Sequence, residues 1–170
     1  RVFVNISSAY KVPSLYQLYS EYGNKNLKPE ESNNYEIGVQ SLTNNKRYSF
    51  RMVAFKRDIK NLIVFFFFFN WNSYYINRDE QHDYGFELES SIAIGKAGSW
   101  TTNFTYVDGE GKDKNVKTKN LYRRPNFTLN STLTLQPAKG LTVMPSFRFV
   151  GTRLKGQYDA GPVTQPSYYT

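Results

Sequence analysis

Stretches of about ten residues in which apolar and polar side chains alternate recur along this chain, a period that makes strands with one greasy and one wet face. From 84 to 94, Tyr84, Phe86, Leu88, Ile92 and Ile94 oppose Gly85, Glu87, Glu89, Ser91 and Ala93, and only Ser90 breaks the apolar face. Trp100, Thr102, Phe104 and Tyr106 alternate in the same way with Thr101, Asn103 and Thr105. Phe127, Leu129, Leu133 and Leu135 alternate with Asn126, Thr128, Asn130, Thr132, Thr134 and Gln136, and Tyr35, Ile37 and Val39 with Glu36, Gly38 and Gln40. Weaker alternation over 2–10, 47–57 and 141–150 completes seven strands. The polar face is mostly Asn and Thr, groups that hydrogen-bond water in a lumen, whereas a soluble sandwich usually carries more Lys and Glu there.

The connections alternate too. Short turns rich in Asn, Gly or Pro sit at Thr43 to Lys46, Gly95 to Ser99 and Pro137 to Gly140, and long polar links run over 11–32, 58–82, 108–125 and 151–170. Bacterial outer-membrane barrels place short turns on the periplasmic side and long loops outside, so this rhythm predicts an antiparallel transmembrane β-barrel and orients it. No run approaches the roughly 20 apolar residues of a spanning helix. Single-chain barrels close with an even number of strands, so seven strands are expected to be part of a larger barrel. On this reading the chain starts within a strand at Arg1 and stops in an outer loop, with 157–170 read as loop. Five phenylalanines, Phe65 to Phe69, lead into Asn70 and Trp71; a girdle at the membrane rim is one reading of them.

Composition removes several chemistries. With no cysteine and His82 as the one histidine, neither a disulfide framework nor a structural zinc site is expected, and no cofactor is called for. The net charge of +8 permits nucleic-acid binding, but the basic residues are scattered and form no stripe with stacking aromatics. His82 reads as an exposed rim residue instead of a triad member, and Glu87 with Glu89 as lumen solvation instead of an acid/base pair. Asp108, Glu110 and Asp113 do not have the spacing of a calcium loop. Lys112, Lys114, Lys117, Lys119, Arg123 and Arg124 outnumber them, giving a solvated loop or one that attracts lipopolysaccharide phosphates or an anionic ligand, with Arg123 and Arg124 as ligand candidates. Three glycosylation-like triplets, beginning at Asn103, Asn126 and Asn130, are by-products of Asn and Thr alternation. No enzyme is expected.

Residues 7–40 carry Val12-Pro13, then Asn24-Lys25-Asn26-Leu27-Lys28-Pro29-Glu30, then Tyr35-Glu36-Ile37-Gly38. This resembles the hallmark of TonB-dependent outer-membrane receptors, Ala-Pro followed by Asn-Pro-Asn-Leu-x-Pro-Glu and Tyr-Glu-x-Gly, with Val12 and Lys25 as departures. Tyr122 to Pro125, Gly151 to Arg153 and Tyr158 resemble later elements of the family, so the likeness covers essentially residues 1–170 as one partial barrel domain. The resemblance implies a 22-stranded barrel in the outer membrane, closed by an N-terminal plug that this chain lacks and energised by TonB with ExbB and ExbD. It implies binding by outer loops and plug, then plug rearrangement, with a surface lipoprotein as a further partner. Ser14 to Tyr19 followed by Tyr22-Gly23-Asn24 looks most like the cobalamin (BtuB-like) receptors. Haem receptors usually place a His between the two boxes, and none lies between Val12 and Leu27; siderophore receptors stay open. Tyr16, Tyr19 and Tyr22 are the candidate ligand contacts, for a corrinoid or a siderophore, because each offers a ring and a hydroxyl.

The competing class is a soluble carbohydrate-binding β-sandwich, in which Leu88, Phe104, Leu129 and Leu133 would face a second sheet instead of lipid. For the barrel, the orientation is testable: a membrane-impermeant amine reagent on intact cells labels Lys112, Lys114, Lys117 and Lys119 and spares Lys46, Lys96 and Lys139. Equal labelling of Lys96 and Lys117 would reject the topology.

Overall fold

The computed structural model describes residues 1–43, 47–67, 73–95, 97–113, 116–119, 123–155 and 164–170. In chain order they form β1 (Val2–Lys11), the short helix α1 (Leu15–Tyr19), β2 (Glu30–Leu42), β3 (Tyr48–Phe67), β4 (Ser73–Ile94) and β5 (Gly98–Asp113). Then come β6 (Val116–Lys119), β7 (Phe127–Ala138), β8 (Leu141–Val143), β9 (Ser146–Val150), β10 (Arg153–Leu154), β11 (Thr164–Gln165) and β12 (Tyr168–Tyr169). One antiparallel sheet runs β1-β2-β3-β4-β5-β7-β9-β12; β6 pairs the outer end of β5, β8 pairs β7, and β10-β11 form a separate pair. Because β6 and β7 both follow β5, and β8 and β9 both follow β7, the sheet has the seven expected strands, and β12 opens an eighth. The C-terminal segment read as loop therefore ends in paired backbone. Its Tyr168 lies opposite Val150 and Tyr169 opposite Phe149.

The register carries the alternation from strand to strand. Val2, Val39, Met52, Leu88, Phe104, Leu129, Phe149 and Tyr169 are successive direct partners, an apolar row across eight strands. Beside it Phe127 and Phe149 stack at 5.2 Å and Phe86 meets Phe104 at 5.4 Å, forming a phenylalanine belt. On the other face Gln40, Arg51, Glu89, Asn103, Asn130 and Arg148 form the corresponding polar row. No second layer covers the apolar face among the described residues, where Ile6 is 71% exposed, so the sandwich reading is set aside. Such a sheet satisfies its backbone strand to strand and turns the apolar face to lipid.

The apolar stripe has limits. From Tyr48 to Lys56 is about 26 Å along the strand at about 3.3 Å per residue; with a tilt near 40° it spans about 20 Å, close to the hydrophobic band of outer-membrane barrels. At Lys56, Tyr84 and Asp108, direct neighbours in the register, the same face turns polar. Yet β3 runs on to Phe67 and β4 begins at Ser73, so 58–67 and 73–82, expected as long loop, continue the hairpin above the lipid. Likewise 108–113 is the end of β5, not a calcium-type loop. Phe65 to Phe67 thus stand in the outer hairpin and not at the membrane rim; Phe68 to Trp71 lie outside the described residues. The extension has a simple cause: a hairpin that leaves lipid keeps its backbone ladder, and only its outward side chains change from apolar to charged.

The expected turns close as predicted. Thr43 N–H donates to Tyr48 O at 3.0 Å, Ala97 N–H to Ile94 O at 3.0 Å, and β7 and β8 join across Lys139 and Gly140, whose φ of +81° suits glycine. Lys46 and Lys96 lie outside the described residues, as do Lys114, Tyr122 and Tyr158. Two wall glycines are sites of close approach: the Phe3 ring lies across Gly38, and a Cβ on Gly85 would fall 2.1 Å from Tyr106 O beside the Phe55 ring. Phe3 and Phe55 are the direct partners of Gly38 and Gly85, aromatic cover for a bare position.

The two faces differ in what they tolerate. Leu88 lies midway between Ile92 near the short turn and Tyr84 at the polar margin. Leu88→Arg is expected to destabilise the intact barrel by about 2 to 4 kcal/mol in a lipid-refolding titration, and Glu87→Arg far less. Equal costs would mean that the two faces do not meet different media.

Candidate functional site

The link between β1 and β2 carries the tyrosines and the family-like motif. Ser14 caps α1: its Oγ accepts from Gln17 N–H at 3.2 Å while Gln17 Oε1 accepts from Ser14 N–H at 2.9 Å, a reciprocal box that starts the helix after Pro13. Downstream, Asn24 Oδ1 accepts from Asn26 N–H at 3.0 Å, a side-chain turn that Asn makes readily. Leu27 is buried. Pro29 delivers the chain into β2 at Glu30.

This link is fastened to the outer β3-β4 hairpin. Asn24 Nδ2 donates to Tyr75 O at 3.0 Å, and Tyr75 N–H donates to Tyr22 O at 3.1 Å. Asn77 Oδ1 accepts from Lys28 N–H at 2.8 Å while its Nδ2 donates to Lys28 O at 2.9 Å and to Asn61 O at 2.7 Å. Glu30 Oε1 accepts from Ile63 N–H at 2.9 Å and from Lys11 Nζ at 3.3 Å, joining β1, β2 and β3. The other motif residues belong to the wall: Tyr35 lies on the apolar face opposite Ile6 and Lys56, and Glu36 accepts from Asn5 Nδ2 at 3.3 Å.

These attachments assemble an aromatic ledge at the outer end of the sheet. Tyr16 meets Tyr75 edge to face at 6.3 Å, Tyr22 meets Phe65 at 5.6 Å, and Phe65 meets Tyr75 at 5.1 Å. Tyr19 is exposed, with Lys25 Nζ 5.5 Å above its ring. A hydrogen bond with Glu21 and that carboxylate's charge raise the Tyr22 phenol above its ordinary value, so it stays a hydrogen-bond donor at neutral pH. Phe65 and Tyr75 were not candidates from sequence: one lies in a phenylalanine run to which alternation assigns no face, the other in a segment expected as loop.

The arginine candidates take a different part. Arg124 Nη1 lies 3.3 Å from Asp83 Oδ2, and Arg57 Nη2 contacts the same oxygen. Gln81 Nε2 donates to Asp83 Oδ1 at 2.9 Å, leaving Asp83 fully buried on the face that also carries Arg51 and Glu87. Arg124 is therefore held in the wall by a buried carboxylate and is not a free loop cation. Arg123 adopts φ +59°, and its N–H donates to Leu154 O at 2.6 Å. Neither meets the tyrosine ledge in any of these contacts. His82, expected as a bare rim residue, is paired: its Nδ1 lies 2.6 Å from Asp58 Oδ1 and its Nε2 3.4 Å from Glu80 Oε2. Burial pushes the Asp58 carboxyl up, but hydrogen bonds from His82 and Lys56 outweigh it and hold the group below the usual carboxylate range. Glu89 pairs with Arg51 at 3.2 Å. Among the described residues no group of three ligating side chains gathers as a metal would need.

Known proteins share this architecture. Residues 1–170 match the family model for the TonB dependent receptor-like β-barrel. The siderophore receptor PirA from Pseudomonas aeruginosa is 28% identical with a TM-score of 0.70, over 88% of this chain and 27% of that one. The ferric-catecholate import receptor Fiu from E. coli K12 is 20% identical with a TM-score of 0.74, over 99% of this chain and 25% of that one. The copper transporter OprC, 14% identical with a TM-score of 0.78, is matched over 99% of this chain and 27% of its own. The chain thus spans about a quarter of the length of these receptors, and none of the three is named for a corrinoid. With an apolar face for lipid, long outer hairpins, short inner turns and the family model matched from end to end, the chain belongs to the TonB-dependent receptor β-barrel family of the bacterial outer membrane.

Proposed function

We propose that the receptor to which this barrel segment belongs imports a ferric siderophore, with the Tyr16, Tyr19, Tyr22, Phe65 and Tyr75 ledge contributing to capture at the outer mouth. The observation that carries the reading is the 28% identity to the siderophore receptor PirA over 88% of the chain. The ledge supports it chemically. Catecholate ligands present flat rings, and edge-to-face tyrosines offer ring contact together with phenol donors. Uptake then needs the plug and the TonB, ExbB and ExbD complex, which this segment does not contain, and involves no covalent step. Cobalamin, the sequence-based expectation for the ligand, receives no support from these relatives, and the missing histidine between Val12 and Leu27 still argues against haem.

Calorimetry on the purified full-length receptor is the test, with ferric tris-catecholate, ferric hydroxamate, haemin and cyanocobalamin as titrants. Binding of a ferric siderophore without measurable binding of cyanocobalamin is expected. Tight corrinoid or haemin binding with no ferric siderophore bound would overturn the ligand reading and leave the family assignment standing.

A further inference from the structure

The segment between α1 and β2 has no strand partner of its own, yet it lies in a fixed place against the outer hairpin. Three attachments hold it: the Tyr75 N–H to Tyr22 O bond, the Asn24 side chain on Tyr75 O, and the Asn77 side chain on Lys28. The third differs in kind, because the Asn77 amide takes both backbone groups of one residue, accepting from Lys28 N–H and donating to Lys28 O. A residue in a neighbouring antiparallel strand would do the same, so this side chain stands in for a β-partner. Its second amide proton goes to Asn61 O, across the hairpin. Asn61 has φ +54°, a conformation that Asn tolerates better than most residues. One amide thus ties the link, β3 and β4 together.

We propose that Asn77 is a positioning residue for ligand capture: by fixing Lys28 it keeps Tyr16 and Tyr22 seated on Tyr75 and Phe65, a role that rests on the siderophore reading. No other small side chain fits the three bonds. Aspartate has no proton for either carbonyl and would set its charge against two oxygens, and alanine offers nothing. Asn77 itself touches none of the ring contacts named above, so its effect on a ligand runs through the ledge.

The test uses the full-length receptor in detergent, with variants Asn77→Ala, Asn77→Asp and Asn24→Ala. Three quantities are read: the rate of trypsin cleavage after Lys25, the thermal midpoint of the barrel, and the affinity for ferric tris-catecholate. Lys28 precedes Pro29 and is a poor trypsin site, so Lys25 reports the link. Asn77→Ala is expected to raise cleavage several-fold and weaken binding several-fold, the scale of one lost, partly exposed hydrogen-bonding group, with the midpoint nearly unchanged. Asn77→Asp is expected to do more, and Asn24→Ala, which acts from the link side and leaves the barrel wall intact, to raise cleavage as well. Unchanged cleavage in both Asn77 variants overturns the proposal, and so does faster cleavage with unchanged affinity. A wild-type receptor that binds no ferric siderophore sinks the uptake reading instead, and the cleavage rates then decide the anchoring.

Discussion

Backbone hydrogen bonding in hydrocarbon is the constraint on which the rest depends. An unpaired N–H or C=O in lipid costs several kcal/mol, so each strand must be paired along its crossing, and pairing fixes register. Between β3 and β4 the register holds without a shift from Tyr48–Ile92 to Phe67–Ser73. A slip of one residue would turn Leu88 and Phe86 to the lumen and Glu87 and Glu89 to the lipid. The apolar row from Val2 to Tyr169 is the visible result, because eight strands can share one row only if each step of the register is right.

Above the lipid the same ladder continues under a different rule. Glu31, Lys60, Glu80 and Lys112 are successive partners on the outward face, and Lys112 lies 3.8 Å from Glu80. Exposed pairs of this kind contribute little stability, which comes from the ladder beneath them. From Glu31 to Lys112 their sign alternates across the strands, so neighbouring charges in this row attract. On the inward face the fully buried Asp83 holds the half-exposed Arg57 and Arg124 together, and removing the carboxylate would leave two guanidinium groups side by side without their shared counter-charge.

The outer hairpin also provides a floor for the segment that carries the tyrosines. Asn24, Asn77 and Glu30 act alike: a side-chain amide or carboxylate meets a backbone group that no strand reaches. The motif from Asn24 to Glu30 is thus a set of attachments and a turn, and it leaves Tyr16 and Tyr22 against the outer hairpin.

Sequence by itself determined the fold class, the faces and the turns, because a period of two and the chemistry of Asn, Gly and Pro are local properties. Gly38 and Glu30 were legible as motif members by resemblance, but their partners Phe3 and Ile63 were not. Charged residues such as Lys60 and Glu80 read as loop, since the rule equating polar with unpaired fails once a hairpin leaves the membrane. Only tertiary structure decided that β3 and β4 extend so far, that Arg124 serves Asp83, and that Phe65 and Tyr75 join the tyrosines. The contacts of Asp83 with Arg57 and Arg124, of Tyr16 with Tyr75 and of Tyr22 with Phe65 join residues 26 to 59 positions apart, which are brought together by register and not by local preference.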